Sequence, residues 1–170
     1  MAYQILPSIY ARVVNMKETE PELEGGGEKF VSEQDWSDIY QKVLHLLGPH
    51  NSYLRLAGDQ EFDRSDLVTH TISEDMADIY QDLKDFTSQY RQGVEEIMND
   101  AIWEVMSNFD QYWGVKLLNA LGALHQLYIN KIDPEQESGD QRQIPEDDDT
   151  LPTYDNSFFT KLQDLNEEEI

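Results

Sequence analysis

Residues 72–90, with the sequence ISEDMADIYQDLKDFTSQY, decide the fold class. The apolar side chains of this stretch recur in steps of four and three residues, the spacing of a helix face that packs in a bundle. Ser73 is placed to cap the N-terminus, and Glu74 and Asp75 follow in the first turn, where the helix dipole favours acids. The stretch therefore predicts an amphipathic helix that ends or turns at Gly93. Its apolar face consists of Ile72, Met76, Ile79, Leu83, Phe86 and Tyr90.

A second helix is predicted upstream of this stretch. Ser32 and Asp35 have the spacing of a capping box, here with a shorter acid than usual, and the pair Gly48-Pro49 ends the helix. One apolar stripe lies between these two signals. It consists of Trp36, Ile39, Tyr40, Val43, Leu46 and Leu47.

Helical patterns also occur on both sides of these two segments. Residues 5–14 predict a helix that has Pro7 in its first turn, where the missing amide hydrogen does no harm. Residues 94–132 predict either one long helix or two helices with a bend near Gly114. Asp133-Pro134 closes this region, because a residue before proline avoids helical geometry.

Residues 50–72 have no clean period, and within them residues 53–56 fit either a short extended piece or one helical turn. Because no sustained strand alternation is visible, the sequence predicts an all-α fold. We expect an antiparallel, up-and-down bundle of four to five helices in residues 1–132.

The charge of the chain is strongly negative and unevenly distributed. Its 170 residues contain 35 acids and 12 bases, which gives a formal net charge of -23. Residues 133–170 are especially rich in acids and in proline, and they predict an acidic, largely disordered tail. Within this tail, residues 156–166 predict a short amphipathic recognition helix. Its partner-binding side chains would be Phe158, Phe159, Leu162 and Leu165, unless their spacing is accidental.

Composition also excludes several classes of function. The negative charge argues against direct binding to nucleic acid or to an anionic membrane, since both need clustered bases. The chain has no cysteine, so it has no disulfide, thiolate nucleophile or cysteine-bound zinc. No apolar run reaches the length of a membrane span, and no signal-peptide pattern is visible, which together predict a cytoplasmic protein.

Two rows of acids suggest a metal site as one of two interpretations. The first row follows residues 72–90 in steps of three and four, and the second follows the next helix in steps of four. Facing rows of carboxylates could hold Mg²⁺ or Mn²⁺, as in all-helical hydrolases that act on nucleotides, although the paired E-x-x-E motifs of those enzymes are absent. The simpler interpretation is a solvated helix face. The residues concerned are Asp75, Asp78, Asp82, Asp85, Glu96, Asp100 and Glu104.

A ligand pocket is a second candidate site. His125 follows small residues on an apolar helix and is expected either to be a hydrogen-bonded core residue or to line a pocket with Trp113 and Tyr80. No histidine has an acid three residues before it, as a di-iron bundle would require.

Several strings of the chain are specific enough to carry a resemblance. They are residues 73–86 (SEDMADIYQDLKDF), 90–93 (YRQG), 108–114 (NFDQYWG) and 120–125 (ALGALH). With them, residues 6–132 resemble an uncharacterised bacterial family of small acidic proteins, a domain of unknown function. The resemblance implies an all-helical cytoplasmic domain, and a further helix upstream of Leu6-Pro7, but no catalytic residues.

The leading hypothesis is therefore a non-enzymatic binding or adaptor module, without a cofactor, that binds a protein partner. It rests on the absence of any strong catalytic motif and on the segregated charge. The alternative is the Mg²⁺- or Mn²⁺-dependent hydrolase. A third hypothesis, mimicry of nucleic acid by surface carboxylates, rests on charge alone.

Overall fold

The computed structural model describes residues 2–56 and 67–134. These residues form five α-helices and one antiparallel hairpin, so the chain is predominantly helical and the predicted all-α class is confirmed in that sense. The up-and-down order of the bundle and the domain boundary near residue 132 stay predictions. The helices are α1 (Ala2–Val13), α2 (Glu33–Leu47), α3 (Ile72–Tyr90), α4 (Glu95–Asn108) and α5 (Gly114–Ile129).

Helix α3 is the centre of the packing. It contacts α2, α4 and α5, and α1 packs against α5. Trp113 is completely buried between these helices and donates its indole N–H to the carbonyl oxygen of Val105 at 3.3 Å. The buried apolar side chains form one core, as expected for a domain of this size. It consists of Leu6, Val13, Leu47, Ile72, Ile79, Val105, Phe109, Trp113, Leu117 and Ala120.

The predicted cap of α2 is confirmed, and that of α3 is wrong. Ser32 Oγ accepts a hydrogen bond from the amide of Asp35 at 3.2 Å, and the Asp35 carboxylate accepts one from the Ser32 amide at 3.1 Å. In α3, Thr71 is the cap and accepts from the amide of Glu74 at 3.4 Å. Ser73 is buried instead, because both its amide and its hydroxyl bond to the Asn51 side chain at 2.9 Å.

A β-hairpin between α2 and α3 was not predicted as such, but of the two alternatives for residues 53–56 the short extended piece is confirmed. A short 3₁₀ turn, Gly48–Asn51, leads into strand β1 (Ser52–Leu56), which pairs with β2 (Leu67–Thr71). The register places Tyr53 opposite His70, and their rings stack with centroids 5.9 Å apart. Each strand has only five residues, so neither shows a long alternation in the sequence.

Helix α1 begins earlier than its pattern suggested. It starts at Ala2, which places Pro7 inside the helix and not in its first turn as predicted. Proline cannot donate the usual amide hydrogen bond to the carbonyl four residues earlier, so α1 tolerates one missing bond.

The predicted irregularity near Gly114 is a π-helical turn. Residues Phe109–Trp113 form this turn, and the amide of Gly114 donates to the carbonyl of Phe109. The chain therefore stays helical from Glu95 to Ile129 without a loop. A β-carbon at position 114 would lie 2.5 Å from the Phe109 carbonyl oxygen, so glycine is required for this close approach.

Candidate functional site

The acidic row of α3 points into the protein. Asp75, Asp78 and Asp85 are buried, and Asp75 is only 1% exposed. The interpretation of this row as a solvated helix face is therefore wrong. The physical reason is that the neighbouring elements each provide a hydrogen-bond donor, so the cost of burying the carboxylates is largely offset.

Asp78 is the centre of the densest polar cluster. Its Oδ1 accepts from the indole N–H of Trp36 at 2.8 Å. Its Oδ2 accepts from the hydroxyl of Tyr112 at 2.7 Å and from the ammonium of Lys116. These donors come from α2, the π turn and α5, so one carboxylate fastens three elements to α3.

Lys116 stays charged in this setting. Burial alone would lower its pKa, but the hydrogen bonds to Asp78 and Tyr112 outweigh that effect and hold the pKa above 10.5. The ammonium also lies 3.5 Å from Glu74 Oε1 and 4.7 Å from the centre of the Tyr112 ring. Burial, and then the bond to Asp78, raise the pKa of Tyr112 as well.

Asp75 forms a second polar contact, between α3 and the hairpin. Its Oδ2 accepts from the hydroxyl of Tyr53. Burial raises the pKa of Asp75 above 3.8, although the bond from Tyr53 acts in the opposite direction. The pKa of Tyr53 is raised by its burial and by the bond to Asp75.

Asp82 borders a small cavity between α3 and α4. Its Oδ1 accepts from the side-chain amide of Asn108 at 2.7 Å, and burial raises the pKa of its carboxyl. The cavity volume is about 10 Å³, which suits about one water molecule and not a nucleotide. Its polar lining consists of Lys29, Asp82, Asp85, Gln89, Glu104 and Asn108.

The connection between α1 and α2 crosses this region, and we call residues 19–31 the strap. Asp85 accepts from the strap amides of Phe30 at 2.7 Å and Val31 at 3.0 Å. Asp100 of α4 accepts from two more strap amides, those of Glu22 and Leu23, which lower its pKa. Asp85 of α3 and Asp100 of α4 are therefore each occupied by backbone amides of the chain itself.

A lysine of the strap adds an ion pair to these backbone contacts. Lys29 Nζ lies 2.6 Å from Glu104 Oε1 and 4.0 Å from Asp85 Oδ2. The buried amide of Gln89 donates to Glu104 Oε2 and to the carbonyl of Glu28, each at 3.2 Å. The strap thus closes over Asp85 and Glu104 with a cation of its own.

Of the residues predicted to bind Mg²⁺ or Mn²⁺, Asp82, Asp85 and Glu104 border the same small cavity, and the others lie elsewhere. The four aspartates of α3 contact different elements, Glu96 is exposed, and Asp100 holds the strap. Within residues 2–56 and 67–134, no three histidine, aspartate or glutamate side chains are grouped so that they could hold a metal ion. The metal site stays a prediction.

The residues of the predicted ligand pocket lie in different surroundings. Trp113 is fully buried, whereas Tyr80 and His125 are exposed. The expectation that His125 is a core residue is wrong, because its ring lies at the surface 6.2 Å from that of Tyr128. The partner-binding residues of the tail, from Phe158 to Leu165, lie outside the described residues.

A feature that sequence reasoning missed is a pair of helices without acids. None of the 35 acids of the chain occurs in α1 or α5, which pack against each other, and we call these two helices the acid-free pair. The missed signal was the absence of acids from residues 2–13 and 114–129, which is conspicuous at a net charge of -23. Large apolar side chains of the pair are nevertheless exposed. They include Ile5, Val115, Leu118, Tyr128 and Ile129.

No helix in the described part of the chain is both long and apolar enough to cross a membrane. The acid-free pair exposes several large apolar side chains at the surface. Apolar patches on a protein surface mark sites of interaction when they are contiguous.

Comparison with known proteins gives a fold relative and a family. The chain is similar to a crystal structure of protein BF1032 from Bacteroides fragilis, a structural genomics target, with 30% sequence identity and a TM-score of 0.63. The similarity covers 74% of this chain and 72% of the other. None of the curated proteins matches. Residues 1–130 match the family described as a domain of unknown function, DUF5063, and the chain therefore belongs to that family.

Proposed function

We propose that this chain is a non-enzymatic, cytoplasmic protein-binding module whose partner contacts the acid-free pair. The observation that carries the proposal is the coincidence of two properties on α1 and α5. These helices contain no acid, and they expose large apolar side chains.

The charge of the exposed surface supports a protein partner. The single lysine of α5, Lys116, is bonded to Asp78 and its side chain is only 13% exposed, so it adds little charge to the surface. Cores of protein interfaces are depleted in charged residues and rich in apolar ones. The exposed surface of α5 has this composition, whereas most of the sequence outside the pair is strongly acidic.

The buried carboxylates support the same function in a structural role. Each of the four α3 aspartates described above is hydrogen-bonded to a donor of the protein, and Asp78 joins α5 to α3 through Lys116. A rigidly held helix loses little conformational freedom when it binds a partner, which favours affinity. We infer that the buried aspartates of α3 hold α5 in position and take no part in catalysis.

A matched pair of substitutions tests the proposal. Leu118 on α5 and Leu46 on α2 are both leucines in helices, and both are 47% exposed. Immobilised full chain, with wild-type sequence or with Leu118→Glu or Leu46→Glu, would be incubated with a lysate of the source cells. We expect a protein that is retained by wild type and Leu46→Glu and lost with Leu118→Glu, because the new carboxylate would be buried without a partner.

The result that would overturn the proposal is equally definite. Retention of the same proteins by wild type and by Leu118→Glu would show that α5 is not the binding surface. Circular dichroism of both variants serves as the control for folding.

A further inference from the structure

The exposed side of α5 has a regular pattern. Five exposed positions follow one another in steps of three, four, three and four residues, which is the spacing of a seam between two paired helices. We call these positions the α5 seam, and none of them is acidic or permanently charged. They are Val115, Leu118, Gly122, His125 and Ile129.

The positions of the α5 seam are nearly symmetric about its middle residue. Gly122 lies at its middle, with Val115 seven residues before it and Ile129 seven residues after it. A two-fold axis near Gly122 would therefore place Val115 opposite Ile129 of another copy, and Leu118 opposite its His125. Two-fold interfaces require this kind of self-complementary surface.

Gly122 provides the close approach that such a crossing needs. A β-carbon at this position would have no atom of residues 2–56 or 67–134 within 4 Å, so nothing in the described part of the chain requires glycine there. Gly114 is different, because a β-carbon there would collide with the Phe109 carbonyl. A glycine in the middle of a helix makes that helix less stable than an alanine would. Close packing of another helix against this position gives a reason why glycine is present.

Charge also favours a second copy at this place. Two chains with a net charge of -23 each repel one another over most of their surfaces. The acid-free pair is a helical region where two copies can meet without opposed carboxylates from these helices.

We propose that the partner of the α5 seam is the α5 seam of a second copy, packed antiparallel with its axis near Gly122. This inference rests on the proposed function and names its partner. Helix α5 is about 24 Å long, and two neighbouring helices are about 20 Å wide, so the pair offers about 500 Å² in projection. A standard interface buries about 800 Å² per partner, so the dimer is weak and exchanges with the monomer.

Sedimentation equilibrium of the full chain tests the proposal. We expect a dimer whose population grows with protein concentration. Raising the salt from about 20 mM to about 300 mM should strengthen it, because salt screens the repulsion between the two acidic copies. A basic partner would show the opposite salt dependence, since its attraction to this chain would be screened.

Three variants locate the interface. Leu118→Glu should weaken the dimer more than about tenfold, since it places a carboxylate in the contact. Gly122→Ala should weaken it about tenfold by separating the two helices, without harm to the monomer, where the β-carbon meets open space. Leu46→Glu, on α2, should leave the dissociation constant within about twofold of wild type, because it lies outside the contact.

A chain that stays monomeric at the highest concentration and salt would overturn the second copy as partner. A dimer that Gly122→Ala and Leu118→Glu do not weaken would also overturn it. Either result is distinguishable from failure of the proposed function. If a lysate protein is still retained through Leu118, the module binds another partner, and if none is retained, both proposals fail.

Discussion

Helices α3 and α5 both depart from the usual rule that acidic side chains are exposed and apolar side chains are buried. Helix α3 carries a regular row of carboxylates and buries it, whereas α5 carries no acid and leaves several large apolar side chains exposed. Whether a side chain is buried or exposed therefore depends on the groups available to contact it, and not on its polarity alone. Carboxylates with protein donors can be buried, and apolar side chains without a neighbour stay at the surface.

The two helices are also connected at one point. Lys116 is the single lysine of α5, and it reaches the buried carboxylate of Asp78 on α3. Removing one partner of such a pair leaves an uncompensated charge, which costs more than the pair itself contributes. The comparison can therefore be tested at this contact first.

We expect Asp78→Ala to be the most destabilising single change of a polar residue. It removes the acceptor of Lys116, Tyr112 and Trp36 together, and it takes the nearest carboxylate away from the largely buried ammonium. The expected loss in the free energy of unfolding is about 3–5 kcal/mol, measured by urea denaturation.

The control for this change is Asp38→Ala on α2. Asp38 is exposed, and within the described ranges it accepts from the side chain of Gln34 four residues earlier, at 2.7 Å. Its removal should cost a few tenths of a kcal/mol at most. A loss below about 1 kcal/mol for Asp78→Ala would show that the α3 carboxylates are not structural, and would make their chemistry worth examining again.

The second test compares the two glycines of α5. Gly114→Ala should destabilise the fold by about 1–3 kcal/mol, because the new β-carbon would lie 2.5 Å from a backbone oxygen of the π turn. Gly122→Ala should stabilise the monomer by about 0.4–1 kcal/mol, since a helical glycine is replaced where space is open.

Both variants would be measured by denaturation at a protein concentration below that of any dimer. Equal effects of the two substitutions would contradict the comparison. In particular, a stable Gly114→Ala variant would mean that the π turn can relax into a regular helix.

The sequence was sufficient for local features but not for the inward direction of the acids. The capping box at Ser32 and the glycine near the π turn were visible, because each depends on residues close together in the chain. The acids of α3 bond to donors far from them along the chain, such as Trp36 and Lys116. No periodicity within α3 could reveal those donors.

The hairpin was missed for a related reason. Its pairing joins residues such as Tyr53 and His70, and each strand is too short to alternate visibly. The cap of α3 was displaced to Thr71 as a consequence, because the strand β2 ends there and Ser73 is used by Asn51. Tertiary contacts, and not local preference, decided both points.

The smallest expected effect is the change of stability with pH, and it distinguishes the buried acids from the exposed ones. Burial raises the pKa values of Asp75 and Asp82 above 3.8, so these groups bind protons more tightly in the folded state than in the unfolded state. The free energy of unfolding should therefore rise as the pH is lowered from 7 to about 5.5. Relief of the repulsion among the acids acts in the same direction.

Below about pH 4 the free energy of unfolding should instead fall with the pH, because carboxylates whose pKa is lowered in the folded state then become protonated. The pKa of Asp35 is lowered by its bonds to Ser32, and that of Asp100 by the strap amides. The stability that these two carboxylates contribute is therefore present above pH 3.8 and is lost as the pH falls through their lowered pKa values.

Thermal melts of wild type and Asp75→Asn across this pH range would separate the effect of the buried acids from that of Asp35 and Asp100. The variant should lose part of the rise between pH 7 and about pH 5.5 and keep the fall at lower pH, because Asp35 and Asp100 are unchanged in it. A melting temperature of wild type that falls steadily from pH 7 would contradict this, and would show that carboxylates held by specific donors dominate already near neutrality.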